Sequence, residues 1–236
     1  MTRPFVPTLY ANPIIDYDYK NWAGNHIWLH KQPLPLWGMM LGMKLFGKNE
    51  WALRLPSILL STLAIVLTFF IGRHLFDSKT GLLAAFFHAV NGLIIEITAG
   101  RVATDHIDLY FLFFIELSAF LLIIARKKKH FLYIILSGIS CGMAILSKWL
   151  PALIVIPAGW LILRNTCQTR QMLIYALLFG FACLLTFLPW QIYIQVYFPE
   201  EATWAYQYNR MHITEVLSGM GGGILYQFNK APYYME

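Results

Sequence analysis

Long apolar runs alternate with short polar clusters along this chain, and the runs have the length of membrane spans. About 20 apolar residues in a helix cross the hydrocarbon core, with about 17 to 25 tolerated. Six segments qualify or nearly do: residues 55–71, 81–99, 107–125, 131–147, 150–163 and 172–198. The fifth is short and contains Pro157, so it is expected to tilt or to extend into neighbouring turns. Lipid offers no partner to an exposed backbone amide, so each run is predicted to be a helix. Ahead of them, PLPLWGMMLGMKLFG at 33–47 is apolar but ends quickly at Lys48, Asn49 and Glu50. Its length, with Trp37 and Lys44, predicts a helix lying at the outer interface rather than crossing.

The polar clusters set the orientation. GRHLFDSKTG, ARKKKHF and LRNTCQTR carry Arg73, Lys79, Arg126, Lys127, Lys128, Lys129, Arg164 and Arg170, while the alternate connections AGRVATDH and SKWLP carry only Arg101 and Lys148. The basic loops therefore belong in the cytoplasm. The prediction is an all-α polytopic membrane protein with about six transmembrane helices plus an interfacial helix. Residues 1–54 form a non-cytoplasmic loop bearing that helix, 55–198 the six-helix region, and 199–236 a second non-cytoplasmic loop. A multi-pass protein of the cell (inner) membrane follows, with its active face periplasmic or extracellular.

Composition agrees with this picture. Hydrophobic residues make up 58% of the 236 and charged residues only 13%, where a soluble domain carries about a quarter charged. The excess of Lys and Arg, 18 against 12 acids, falls in the short loops and forms no aromatic-interleaved basic face, so nucleic acid is not an expected partner. Cys141, Cys167 and Cys183 are isolated and read as inert thiols. The N-terminus has no continuous apolar core and is not read as a signal peptide.

The chemistry-bearing residues gather at the outer ends of the runs. HKQP at 30–33 precedes the interfacial helix, ALRLP at 52–56 opens the first span, GRVATDHID at 100–108 joins the second to the third, and LSKWLP at 146–151 joins the fourth to the fifth. Taken singly, each has a plain reading: Asp105 and Asp108 as first-turn acids, Lys148 as a snorkelling lysine, Arg54 as an interface anchor, His30 as a loop histidine. Together, cations at Lys31, Arg101 and Lys148 beside Asp105 would neutralise a phosphate next to a group that orients a hydroxyl. Glu96 and Glu116 lie inside apolar runs with His88 and Asn91 nearby, and intramembrane acids are functional candidates because lipid penalises them. They support the alternative of a transporter or flippase subunit with Glu96 and Glu116 in its path. GMGGG at 219–223 lacks the strand and lysine of a nucleotide loop and reads as a flexible turn. No metal site or cofactor is predicted; a divalent metal stays open, with His30 and His212 as weak candidates.

The order HKQPLPLWGMMLGMKLFGKNEWALRLPS, GRHLF, AGRVATDHIDLYF and ILSKWLPALIVIPAGW resembles the polytopic GT-C glycosyltransferases, in particular the dolichyl-phosphate-mannose protein mannosyltransferase and lipid A aminoarabinose transferase-like group. The likeness runs from about Asn25 to Trp160 and more loosely through YNRMH at 208–212. The resemblance implies transfer of a hexosyl or pentosyl group from a polyprenyl-phosphate donor to a lipid, glycan or protein acceptor at the non-cytoplasmic face. It places Asp105 on the acid of the second outer loop, taken here as the catalytic candidate, and Lys31 and Lys148, with Arg210, at the lipid phosphate; the outer-face reading adds Arg101 to the phosphate cations and His30 and Asp108 as supporting groups. Gln32 stands where the family has a first proline, and Ser147-Lys148-Trp149 stands for the usual Thr-Lys-Gly. Family members begin with a further helix carrying the presumed base, and Asp16 and Asp18 sit too near HKQP to replace it. The chain is thus expected to be a central fragment, lacking that helix and the C-terminal part, and inactive alone.

Overall fold

The computed structural model describes residues 5–6, 8, 12, 14–21, 23–99 and 106–214. Among them every regular element is helical, apart from one isolated antiparallel bridge between Thr8 and Ile27. The chain forms two compact units, Lys31–Pro189 and a second made of Met1–His30 with Trp190–Glu236.

The larger unit begins with α1 (Pro33–Phe46), started by Pro33 in its first turn and ended by Gly47 at φ 87°. Next come α2 (Glu50–Leu75), α3 (Ser78–Ala89) and α4 (Gly92–Thr98), then α5 (His106–Lys128) and α6 (Phe131–Lys148). A 3-10 turn, Leu150–Ile154, leads into α7 (Val155–Leu163), and α8 (Thr169–Tyr197) follows. Four of these helices, α2, α5, α6 and α8, are long and apolar enough to cross a membrane, and the bent pair α3 and α4 makes a fifth candidate. The stretch Leu150–Leu163 is a shorter apolar helix, in keeping with the interrupted fifth segment. The protein is an all-α multi-pass membrane protein.

Local chemistry explains where the helices start. Asn49 accepts a hydrogen bond from the Ala52 amide at 2.8 Å to open α2, and Asp77 accepts one from Thr80 at 2.8 Å to open α3. That backbone hydrogen bond holds the Asp77 carboxyl below its usual range. The second span, expected to be continuous over 81–99, is instead broken by 54° after Ala89. The break has its own cap: the Asn91 side chain accepts from the Ile94 amide at 3.1 Å and starts a new helix at Gly92. The amides of Val90 and Asn91 bond back to Phe86 and His88, so these two donors are met at the bend.

Helix contacts in this unit use small residues and hydroxyls. Ser118 of α5 and Ser137 of α6 clasp each other: each hydroxyl donates to the other's carbonyl, at 2.8 and 2.9 Å, and the two oxygens lie 2.8 Å apart, fully buried. On α6, Gly138 and Gly142 meet α8 so closely that a Cβ on Gly142 would stand 2.6 Å from Thr186 and 2.8 Å from the Cys183 carbonyl. Gly38 and Gly42 do the same for α1, against Tyr110 of α5 and the Ala52 carbonyl of α2. Both pairs are small-xxx-small motifs, which allow close backbone approach where lipid supplies no hydrophobic drive.

The smaller unit contains α9 (Pro199–Thr214). Residues 199–236 were expected as a non-cytoplasmic loop; their start is helical, and the cause is legible. Pro199 opens it with Glu200 and Glu201 in the first turn, where acids favour the helix dipole. Residues 215–236, including GMGGG, lie outside the described residues.

Ser118→Ala and Ser137→Ala are each expected to lower stability by about 1 kcal/mol, with a coupling of roughly 0.6 kcal/mol between them. A double-mutant cycle by controlled denaturation in mixed micelles reads this directly, and strictly additive losses would remove the clasp from the account.

Candidate functional site

Two ends of the larger unit are tied separately. At one end Arg126 donates to the Ile162 carbonyl at 3.5 Å, joining the ends of α5 and α7 that carry the basic loops. At the other, Lys148, the last residue of α6, donates to the carboxylate of Asp108 in the first turn of α5. At this same end Arg54 donates to the Ala99 carbonyl after α4 and pairs with Glu50 at 2.5 Å. The polar residues at the end opposite the basic loops thus tie α2 to the end of α4, and α5 to α6.

The Lys148 turn has an unusual backbone. Trp149 caps α6 with φ 67°, in the left-handed region that a residue with a Cβ enters at a cost of about 1 to 2 kcal/mol. The turn reverses α6 into the 3-10 segment that begins at Leu150 and Pro151. A glycine would adopt this conformation without strain, whereas here the position carries an indole. That indole packs edge-on against Phe187 of α8, centroids 6.4 Å apart. Lys148 remains about half exposed (48%) and Asp108 partly so (27%). The pair therefore orients the ammonium at the boundary without burying it, and one proton-rich face of the ammonium stays open to an anion.

The remaining sequence candidates are distributed as follows. Lys31 is half-buried, directly before Gln32, the N-cap of α1. In the smaller unit, the His30 ring packs edge-on against Tyr208 of α9, centroids 5.1 Å apart. Arg210 lies exposed one turn from the end of that helix. Arg101 and Asp105 lie outside the described residues. Of the nominated groups, the structure brings Lys148 and Asp108 together. Among the described residues no three His, Cys, Asp or Glu side chains converge so as to hold a metal ion.

A polar cluster inside the span was only half visible in the sequence. Thr68 of α2 lies 2.7 Å from Nδ1 of His88 on α3, and 3.2 Å from both carboxylate oxygens of Glu116 on α5. His88 Nδ1 and Glu116 are 3.6 Å apart, with side chains only 7% and 16% exposed. His88 and Glu116 stood out as ionisable residues in apolar runs; Thr68 gave no signal, because hydroxyls are common in spans. Glu96, the other acid, is exposed on α4.

Comparison with known proteins completes the picture. The family described as dolichyl-phosphate-mannose-protein mannosyltransferase matches residues 30–193. An undecaprenyl phosphate-alpha-4-amino-4-deoxy-L-arabinose arabinosyl transferase of Pseudomonas aeruginosa (strain UCBPP-PA14) is 30% identical over 207 residues, covering 82% of this chain and 36% of its own length. A protein of Pseudomonas fluorescens (strain Pf0-1) with the same name, numbered 2, is 25% identical over 206 residues, again 82% of this chain and 36% of its own. An uncharacterized protein of Aquifex aeolicus (strain VF5) is 35% identical over 153 residues, 63% of this chain and 30% of its own. The chain thus spans about a third of the length of the curated relatives it matches. No solved structure gives a significant match.

Because the Lys148–Asp108 pair is solvent-accessible, Asp108→Asn is expected to change thermal stability by less than about 1 kcal/mol. Melting of the purified variant in detergent checks this; a loss of several kcal/mol would make the pair a structural support instead.

Proposed function

The chain belongs to the dolichyl-phosphate-mannose-protein mannosyltransferase family, and from that premise we propose that it serves a membrane glycosyltransferase that moves a sugar from a polyprenyl-phosphate donor to an acceptor at the non-cytoplasmic face. The observation that carries the reading is the Lys148–Asp108 pair at the end of the bundle opposite the basic loops. It presents an oriented cation at the depth where a lipid phosphate meets water. The names of the arabinosyl transferase relatives favour a pentose bearing an amino group and an undecaprenyl carrier. By the positive-inside rule the reacting face is periplasmic or extracellular.

In this reading the reaction is a displacement at the anomeric carbon. A carboxylate takes the proton of the acceptor hydroxyl, its oxygen bonds to the anomeric carbon, and the carbon–oxygen bond to the lipid phosphate breaks. Charge then builds on the leaving phosphate, where Lys148, Lys31 and Arg101 stabilise it. Asp108 acts through Lys148 by fixing the ammonium, Asp105 orders the acceptor side, and His30 supports the outer surface near Lys31. Acceptors are lipid, glycan or protein hydroxyls.

The transporter alternative needs Glu96 and Glu116 in one path across the membrane. Glu116 is enclosed by Thr68 and His88 between three helices, while Glu96 is exposed on the far side of the α3–α4 break. A side chain already tied to hydrogen-bonding neighbours on two other helices is better suited to holding helices together than to passing an ion.

Membranes carrying this chain together with whatever further sequence its gene encodes, supplied with a radiolabelled polyprenyl-phosphate sugar, test the reading. Lys148→Ala and Lys31→Ala are expected to lower transfer by about 100-fold at unchanged protein level, whereas Glu116→Gln is expected to retain most of it. Full transfer in both lysine variants, with loss in Glu116→Gln, would overturn the transferase assignment in favour of a transport path.

A further inference from the structure

The smaller unit holds a pocket of its own, set between residues 19–30 and α9, and nothing above assigns it a role. α9 supplies Glu201, Trp204 and Tyr208, three and four residues apart and so on one face of the helix. The facing segment supplies Tyr19, Lys20 and Trp28. That segment is braced from within. The Asn25 side chain donates to the Tyr19 carbonyl at 3.3 Å and accepts from the Ile27 amide at 2.8 Å, which ties together the two stretches that carry Tyr19 and Trp28. At Gly24 the chain packs so closely that a Cβ would stand 2.8 Å from the Asp16 carbonyl. On the helix side, the edge-on contact of His30 steadies the Tyr208 ring.

Two features say what the pocket takes. The first is size: its volume is about 80 Å³, far below the roughly 300 Å³ at which sites for drug-sized ligands begin. It suits one small head group. The second is chemistry. Four aromatic side chains line this small space, and the face of an aromatic ring is the negative end of its quadrupole, which attracts an ammonium group. Glu201 adds a carboxylate, of which one oxygen, Oε1, already accepts from the Tyr17 hydroxyl at 2.5 Å. The chain also supplies a cation of its own. The ammonium of Lys20 stands 5.4 Å from the centroid of the Tyr19 ring and 5.8 Å from that of Trp204, within cation–π range of both. Lys20 is exposed, and among the described residues its ammonium pairs with no carboxylate, so the rings and not an ion pair draw it there.

A set of rings with one acid among them and an exposed lysine lying across two of them is a cation site with a tethered occupant. We propose that this pocket binds a primary ammonium head group among Tyr19, Trp28, Trp204 and Tyr208, with Glu201 balancing its charge, and that the ammonium of Lys20 is the plug it displaces. No bond forms or breaks; one cation replaces another on the same rings, and the charge of the site is unchanged. Two ligands present such a group at a membrane surface, an amino sugar and the ethanolamine head of a phospholipid. The site stands apart from the donor reading above, since it uses neither the Lys148–Asp108 pair nor a transfer step.

Binding tests this, with the chain and whatever further sequence its gene encodes held in nanodiscs of phosphatidylglycerol, a lipid without an amine. Saturation-transfer NMR at neutral pH follows two amine probes, glycerophosphoethanolamine and the methyl glycoside of an aminopentose, each beside its amine-free counterpart, glycerophosphoglycerol and the methyl pentoside. The expected result is saturable binding of at least one amine probe, about tenfold or more tighter than its counterpart. The tighter amine names the source, and equal affinities make the ammonium itself the ligand. Trp204→Leu and Glu201→Gln are each expected to lower the affinity by about tenfold, whereas Lys20→Gln raises it about three- to fivefold, a gain that misfolding cannot produce. Counterparts that bind as tightly as the amines would make the pocket a general aromatic surface and overturn the proposal. Amine binding that Lys20→Gln weakens, or that Trp204→Leu leaves intact, overturns it as well, and so does the absence of amine binding in both the parent and Lys20→Gln. Each of these failures leaves the donor reading as it stands.

Discussion

The structure depends on one constraint: in lipid, helices gain nothing from hiding apolar surface against each other, so contact must come from close approach and from hydrogen bonds that close between helices. The reciprocal Ser118–Ser137 clasp is the clearest instance, since two hydroxyls and two carbonyls satisfy one another with no water and no charge. It fixes α5 to α6 near mid-helix. The glycines carry the same logic outward, joining α6 to α8 through Gly138 and Gly142, and α1 to α2 and α5 through Gly42 and Gly38. Large apolar side chains lie on both sides of this packing: Leu109, Ile123, Ile134 and Ile145 are buried between helices, while Leu59, Leu63 and Val66 along α2 and Phe181 and Leu185 along α8 are exposed.

This constraint accounts for what could be read from the sequence. Span positions were legible because hydrophobic length is a one-dimensional property: the predicted 131–147 and 107–125 lie inside α6 and α5 almost residue for residue. The interfacial helix at 33–47 was equally plain as a helix, being short, apolar and opened by proline. What escaped was pairing. Both glycine motifs were printed in the chain, yet composition marks glycine as a breaker first, and only the partner helix shows that a missing side chain is a contact. The break after Ala89 was hidden because Asn91 and Gly92 sit among apolar residues that keep the hydropathy high. The helix after Pro199 went unseen because its residues are polar, although its acids and proline are ordinary start signals.

The candidate site was legible in part, for a different reason. A cation and an acid at helix ends facing one side of a membrane can be found from the loop charges alone, and Lys148 and Asp108 were found that way. Their being partners could not, since 40 residues separate them and only the antiparallel run of α5 and α6 brings the two ends together. Asp108 is indeed a first-turn acid of α5, and Lys148 ends α6. Helix-end electrostatics and phosphate recognition ask for the same residues in the same place, so the structural role neither excludes nor replaces the chemical one.

The membrane-embedded cluster follows from the same economy. A carboxyl group at Glu116 would be costly against lipid, and it is tolerated because α2 and α3 bring Thr68 and His88 to it. His88 lies in the last turn of α3, directly below the break that starts α4. A helix interrupted inside a bilayer loses the continuous backbone ladder that would hold its two halves in line, and a side-chain tie just below the interruption fixes the lower half independently. Arg54 then fixes the upper half from the other side, by its bond to the Ala99 carbonyl after α4. Two polar ties, one on each side of a 54° bend, thus carry the orientation that an unbroken helix would have supplied, and they deliver the chain at Ala99 toward the outer end where Asp108 and Lys148 meet.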